Sequence, residues 1–156
     1  IREAVPLIIH IDIDKIGQFL EQDTHYRNGF ETQTHGNQPW AENGKFGIKA
    51  RREWEAELFG SAYDDCEPFL RPKYGTLNFL NDPCGARQCY KIYGDSYLVL
   101  RNVRLRSTLS SKDSSLLDAS RLATPDSYAH VLVEYDDEEL KQAIRVATAR
   151  DSVRCC

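Results

Sequence analysis

Twelve consecutive residues, His25-Tyr26-Arg27-Asn28-Gly29-Phe30-Glu31-Thr32-Gln33-Thr34-His35-Gly36, bring an arginine, a carboxylate, two histidines, two threonines and two glycines together. The mixture suits a pocket for an anionic, ring-containing ligand. An arginine can fork onto phosphate and keeps its charge at any physiological pH. Aromatic rings give a stacking face, hydroxyls give short donors, and glycine lets the backbone approach closely. The segment therefore reads as the strand and turn of an active site, although a polar surface hairpin has the same composition, because loops are polar in general.

A second group of candidate ligands is His10, Asp12 and Asp14, which would share one face of a strand and could converge on a metal. A solvated face opposite Ile9, Ile11 and Ile13 explains the same alternation, and no metal is expected. His25 and His35 are scattered relative to these acids without ligand spacing, so a metal-dependent hydrolase is the weakest reading.

These residues need elements to hold them. The run Leu7 to Asp14 predicts a strand, or a segment feeding a helix over Lys15 to Gln22. Gly36 to Gly47, punctuated by Pro39 and Gly44, is a loop long enough to act as a lid. Ile48 to Phe59 predicts a helix with Ile48, Trp54, Leu58 and Phe59 on its apolar stripe, Trp54 as a core anchor and Gly60 as its stop. Asp64 to Pro68 is an acidic turn, Arg71 to Phe79 a β-prone segment with a rigid proline entry, and Asn81 to Gly85 a turn. Tyr90 to Tyr93, Tyr97 to Leu100 and Val103 to Leu109 are the richest β material and predict the central sheet. Thr124 to Ser127 predicts a helix start with Asp126 or Ser127 as the cap. Asp136 to Glu139 starts a further helix through Ala149, with Arg145 and Arg150 near its other end. Val131 to Tyr135 between them is open to either strand or helix.

The 156 residues, 41% hydrophobic and 28% charged, predict a single domain over residues 1–156. A formal net charge of −4 gives no general attraction to nucleic acid or to an acidic membrane. The densest basic stripe, Arg101, Arg104 and Arg106, alternates as a half-exposed strand would, so neither nucleic acid nor membrane is an expected partner. The cysteines Cys66, Cys84, Cys89, Cys155 and Cys156 lack zinc-ribbon spacing and are expected as free thiols, with Cys84 and Cys89 able to close a small loop under oxidising conditions. The chain contains no methionine, which suggests that it begins downstream of a natural start.

Three segments together resemble a known family: Tyr26-Arg27-Asn28-Gly29-Phe30-Glu31-Thr32-Gln33-Thr34, then Glu53 to Asp64 with its core Leu58-Phe59-Gly60-Ser61-Ala62-Tyr63-Asp64, then Arg71-Pro72-Lys73-Tyr74-Gly75-Thr76-Leu77-Asn78. Their order and wording are similar to a bacterial domain-of-unknown-function family that includes the CteC-type secreted effectors. The resemblance covers roughly Ile9 to Val133. It implies an α+β, ADP-ribosyltransferase-like fold, a central and mostly antiparallel sheet with flanking helices. It implies an NAD-dependent mono-ADP-ribosyltransferase acting on a protein hydroxyl, threonine of host ubiquitin, so as to block ubiquitination. It also implies a monomer delivered by a specialised secretion system into the host cytoplasm. The alternative is a noncatalytic effector module that binds ubiquitin or another host protein.

Carried onto this sequence, the resemblance makes Arg27 the holder of the NAD pyrophosphate, with Tyr26, Asn28, Thr32 and Thr34 beside it. Arg71, Tyr74 and Gly75 would line the nicotinamide side, and Tyr26, Phe59 or Tyr74 would stack on its ring. Asp113-Ser114 stands where the family has glycine-aspartate-serine, with Lys112 in place of the glycine. The acid that would stabilise an oxocarbenium-like ribose has three candidates, Glu31, Asp113 and Glu134. No Rossmann or Walker glycine pattern is present.

Overall fold

The computed structural model of the chain describes residues 5–36 and 38–148. Strand β1 (Leu7–Ile11) runs through the middle of an antiparallel sheet, between β4 (Thr76–Leu77) and β5 (Ser96–Val99). Leu7 pairs with Leu77 on one side, and Ile9 pairs with Leu98 and His10 with Tyr97 on the other. This central position explains the unbroken apolar run. Ile8, Ile9, His10 and Ile11 are all buried, as expected for a strand covered on both faces. Helix α1 (Ile13–Gln22) follows at once, and a second ribbon pairs β2 (Thr34–His35) with β3 (Gln38–Pro39). The longest helices are α3 (Ile48–Phe59) and α6 (Asp137–Thr148). The architecture is α+β, a small antiparallel sheet with flanking helices, as the sequence led us to expect.

Several local expectations are overturned. The His25–Gly36 segment is not one continuous strand and turn, because Gly29–Thr32 forms a helical turn, α2, and only Thr34–His35 is extended, as β2. Asn28 and Glu31 supply its capping box and satisfy the amides that a strand would have needed to pair elsewhere. Tyr90–Tyr93 forms α4, a single helical turn, in place of a strand. The Gly94 amide closes the turn by donating to the Tyr90 carbonyl at 3.0 Å, and Gly94 at φ 113° ends it just before β5. Likewise Arg104–Arg106 is a 3₁₀ turn entered from Asn102 in the left-handed region (φ 57°), and only Leu109 makes a bridge, to Ala123. Ala129–Leu132 is the short helix α5, which resolves the ambiguity around Val131 in favour of helix and places its start after Tyr128. The C-terminal helix begins as predicted, with Asp136 accepting from the Glu138 and Glu139 amides. Arg150, Cys155 and Cys156 lie outside the described residues.

The sheet also accounts for His10. Its Nδ1 lies 3.0 Å from the Gly94 carbonyl and its Nε2 2.9 Å from the Ala86 amide. The Ala86 N–H must donate to Nε2, so the proton sits on Nδ1 and neither nitrogen is left for a metal. Asp12 precedes α1 and Asp14 lies within its first turn, so the three do not share a strand face. No cluster of three or more metal-ligating side chains occurs among the described residues. Cys66, Cys84 and Cys89 are free thiols. No described helix is long and apolar enough to cross a membrane.

Candidate functional site

Asn28 organises the site. Its Oδ1 accepts from the Phe30 and Glu31 amides at 2.9 and 3.2 Å, and the Glu31 carboxylate accepts from the Asn28 amide at 2.8 Å. The same side chain reaches 40 residues onward, its Nδ2 donating to the Pro68 carbonyl at 2.6 Å and toward the Arg71 carbonyl at 3.4 Å. A helix cap is thereby turned into a tertiary tie between residues 28–32 and residues 68–71.

Behind that tie lies an ion cluster centred on Glu55, which is only 2% exposed. Arg71, itself 4% exposed, donates from Nη1 to Glu55 Oε2 at 2.8 Å and from Nη2 to the Asp64 carbonyl at 3.1 Å. Its guanidinium also stands 4.5 Å from the Phe30 ring centre. Tyr74 donates to Glu55 Oε1 at 3.0 Å, and Arg51 Nη1 lies 3.6 Å from the same oxygen. Arg51 in turn rests 4.4 Å from both the Trp54 and Tyr74 ring centres. Burial pushes the Glu55 carboxyl upward, while Arg51, Tyr74 and Arg71 pull it back toward the charged form. Burial, with Glu55 beside it, drives the Tyr74 phenol far above its ordinary range, so it serves as a donor only. Three stretches of sequence, 26–34, 53–64 and 71–78, thus meet around one carboxylate.

The cluster backs onto an open cleft of about 380 Å³ between α2 and the first turns of α3. Phe30, Gln33, Lys49, Arg52 and Arg71 line it, together with Cys66 and the acidic Glu42. Arg52 stands 5.5 Å over the Phe30 ring centre, and the same ring meets Trp40, whose centre lies 4.9 Å away. Lys49 and Arg52 are solvent-exposed and form no ion pair among the described residues. Two unneutralised cations, an aromatic face and the start of a helix make a concavity of small-ligand size that favours anions.

A family match over residues 8–150 spans this whole arrangement. The chain belongs to the DUF3626 family, proteins of unknown function. No curated protein and no solved structure matches it significantly.

The DUF3626 fold distributes the residues singled out in the sequence unevenly. Asn28, Arg71 and Tyr74 fall in the cluster just described, and Glu31 falls at its edge. Burial alone would raise the Glu31 carboxyl, but His25 (2.9 Å), the Asn28 amide and Lys73 (3.6 Å) together carry it below its ordinary value. Arg27 is outside the cleft. It forks onto Asp23 at the end of α1, with Nε and Nη2 donating to the two carboxylate oxygens at 2.6 and 2.7 Å. Thr32 and Thr34 share a hydroxyl hydrogen bond of 2.8 Å between the end of α2 and the start of β2. Tyr26 is half-buried, its phenol raised by burial and by nearby Tyr93. Phe59 meets Tyr63 edge-on at the far end of α3. Gly75 is required by the sheet, since a Cβ there would fall 2.6 Å from the Ile8 carbonyl oxygen. Asp113 caps the following 3₁₀ turn by accepting from the Ser115 amide and hydroxyl. Glu134 is engaged by Arg121 through two hydrogen bonds of 2.9 and 2.6 Å and by the Ser111 hydroxyl, and the arginine above all lowers its carboxyl to about 2.

Sequence reasoning missed Glu55, Arg51, Lys49 and Arg52. One signal was available. Arg51, Glu55 and Leu58 follow a helical i, i+4, i+7 spacing, so a glutamate sits on the same stripe as a core leucine and must be buried with a partner.

Proposed function

We propose that this DUF3626 domain is an NAD-dependent mono-ADP-ribosyltransferase that modifies a protein hydroxyl, threonine of ubiquitin being the acceptor implied by the family resemblance. The observation that carries the reading is the convergence of the three resembling segments on Glu55, beside a cleft with free cations. On this reading Lys49 and Arg52 hold the diphosphate, Phe30 offers a stacking face, and the Glu55–Arg71–Tyr74 cluster fixes the cleft wall. NAD supplies the ADP-ribosyl group and an activated bond to a good leaving group, nicotinamide. Arg52 takes the diphosphate role in preference to Arg27 because its guanidinium has no carboxylate partner among the described residues, whereas Arg27 is forked onto Asp23. Among the candidate acids, Glu31 adjoins the cleft through its neighbour Phe30, whereas Glu134 is committed to Arg121. The fold supports an ADP-ribosyltransferase-like arrangement only in its antiparallel sheet and flanking helices, and secretion into a host remains part of the same proposal.

The test is intact-mass measurement of ubiquitin incubated with the protein and NAD. A gain of one ADP-ribosyl unit, lost with Arg52→Glu and retained with Arg27→Ala, is expected. Unmodified ubiquitin and unconsumed NAD would overturn the enzymatic reading. The engagement of Arg27 by Asp23 and of Glu134 by Arg121 favours a second reading, a noncatalytic module, which predicts ubiquitin binding in a titration without any change in mass.

A further inference from the structure

His35 has a setting that neither the sheet nor the Glu55 cluster requires. Its imidazole stacks with Phe46 (centres 5.9 Å apart, planes 9° apart) and with Trp40 (6.3 Å, 29°), and Tyr93 meets it edge-on at 5.9 Å. Two rings from the loop after β3 and one from α4 hold it in place, yet neither ring nitrogen makes a hydrogen bond among the described residues. His10, in contrast, has both nitrogens occupied. A histidine held only by its faces and one edge is oriented without its proton-accepting atoms being used up.

The backbone keeps it there. Gly36 follows in the left-handed region (φ 58°), and a Cβ at that position would fall 2.2 Å from the Ile92 carbonyl oxygen. The β2 turn is therefore pressed against α4, which carries Tyr93. The charged groups facing the ring are Arg51 from α3 and Asp113 from the segment before Ser114. Burial and then Arg51 lower the imidazole's pKa while Asp113 opposes them, and the net lowering favours the neutral ring, the form that can accept a proton. Trp40 meets both His35 (ring centres 6.3 Å apart) and Phe30 of the cleft (4.9 Å), so a single indole links the two.

We propose that His35 is the proton acceptor for the attacking hydroxyl. This rests on the ADP-ribosyltransferase reading and deepens it. A ring nitrogen of His35 takes the proton of the acceptor hydroxyl as its oxygen forms a bond to C1 of the nicotinamide ribose. The carbon–nitrogen bond breaks with its electron pair passing to the pyridinium ring, so nicotinamide leaves neutral. Atoms and charge balance, with the positive charge of the nicotinamide ring ending on the imidazolium. The carboxylate candidates are then needed only to stabilise the ribose, which explains how each of them can remain hydrogen-bonded.

Two variants and two measurements test it. His35→Gln removes the base, and His35→Phe also keeps the aromatic stack. Both should slow ADP-ribosyl transfer by about 10²–10⁴-fold near pH 7 and abolish the acidic limb of the pH–rate profile. Independently of turnover, the His35 ring resonances in an NMR titration of the wild-type protein should report an imidazole that protonates below its ordinary pH, and they should shift when NAD is added. A His35→Phe variant with wild-type rate and an unchanged acidic limb would overturn the assignment, as would ring resonances that ignore NAD. A wild-type protein that transfers nothing would overturn the enzymatic reading as well, so the two failures are told apart by the wild-type control.

Discussion

Replacing Arg71 by methionine is the sharpest probe of the Glu55 cluster. Arg71 and Glu55 are 4% and 2% exposed, and the substitution leaves a buried carboxylate with Tyr74 and a longer contact to Arg51 as its remaining partners. Breaking a buried ion pair from one side costs about 3–5 kcal/mol, because the surviving charge stays desolvated. Against a total of about 5–15 kcal/mol for a domain this is a large fraction, and in a chain of this size it corresponds to a melting temperature lower by about 6–20 °C. Urea unfolding of the Arg71→Met variant and of Glu55→Leu/Arg71→Met measures it. The double variant should be the more stable of the two, because it removes the stranded charge, and it keeps a residual deficit from the unpaired Tyr74 hydroxyl and Asp64 carbonyl. The pH dependence carries a sign. Burial already raises the Glu55 carboxyl, and loss of Arg71 raises it further. A carboxyl raised in the folded state contributes its stability below the unfolded value and loses it as pH climbs through the folded one. The Arg71→Met deficit should therefore be smaller at pH 5 than at pH 8. A deficit under about 1 kcal/mol at pH 7, against the 3–5 kcal/mol of a broken buried pair, or one that is identical at both pH values, would refute the account of Glu55 as a buried charge held by its partners.

Three further outcomes follow from the same contacts. Asn28→Ala removes both a helix cap and the tie to the Pro68 carbonyl, so it should cost about 2–4 kcal/mol in denaturant unfolding, where an exposed cap alone would cost about 1. Gly36→Ala forces a side chain into the left-handed region and against Ile92, and should lower stability by about 2 kcal/mol or more in thermal melts. Glu134, lowered to about 2, stabilises the fold fully above the ordinary carboxylate range and loses that contribution as pH falls toward 2. Melting temperatures followed from pH 6 to pH 2 should fall less steeply in Glu134→Gln than in the wild type.

The legible parts of the sequence were those where local pattern and tertiary setting agree. Ile48 to Phe59 reads as a helix and is one, and Leu7 to Asp14 reads as a strand or a lead into a helix and divides into both, although His10 is buried by the sheet where a solvated face was expected. Tyr90–Tyr93 and Val103–Leu109 were illegible for the opposite reason, since β preference depends on context, and here the positive-φ residues Gly94 and Asn102 flank short helical turns in place of strands. The error at residues 25–36 had a different origin. Attention to ligand chemistry hid the Asn28…Glu31 capping box, a local signal that specifies a helical turn whatever the segment's function. Arg27 drew notice as a cation in a ligand-like context, but its i−4 neighbour Asp23 was the better predictor of what it touches.

Arg51 and Arg52 show why the site could not be read from residue types alone. Adjacent on α3, they point about 100° apart around the helix axis, the ordinary step of 3.6 residues per turn. Arg51 is drawn inward over Trp54 and Tyr74 toward Glu55, and Arg52 is left over Phe30 at the cleft. Exchanging their roles would take one cation from Glu55 and the exposed arginine from the cleft, so the register of a single helix decides which cation is structural and which is available to a ligand. Arg51 has one further consequence, because the side chain that holds the Glu55 carboxylate also lowers the proton affinity of His35. The buried cluster and the aromatic cradle are therefore electrostatically coupled through one guanidinium, and a substitution at Arg51 should disturb both at once, whereas one at Arg52 should disturb neither.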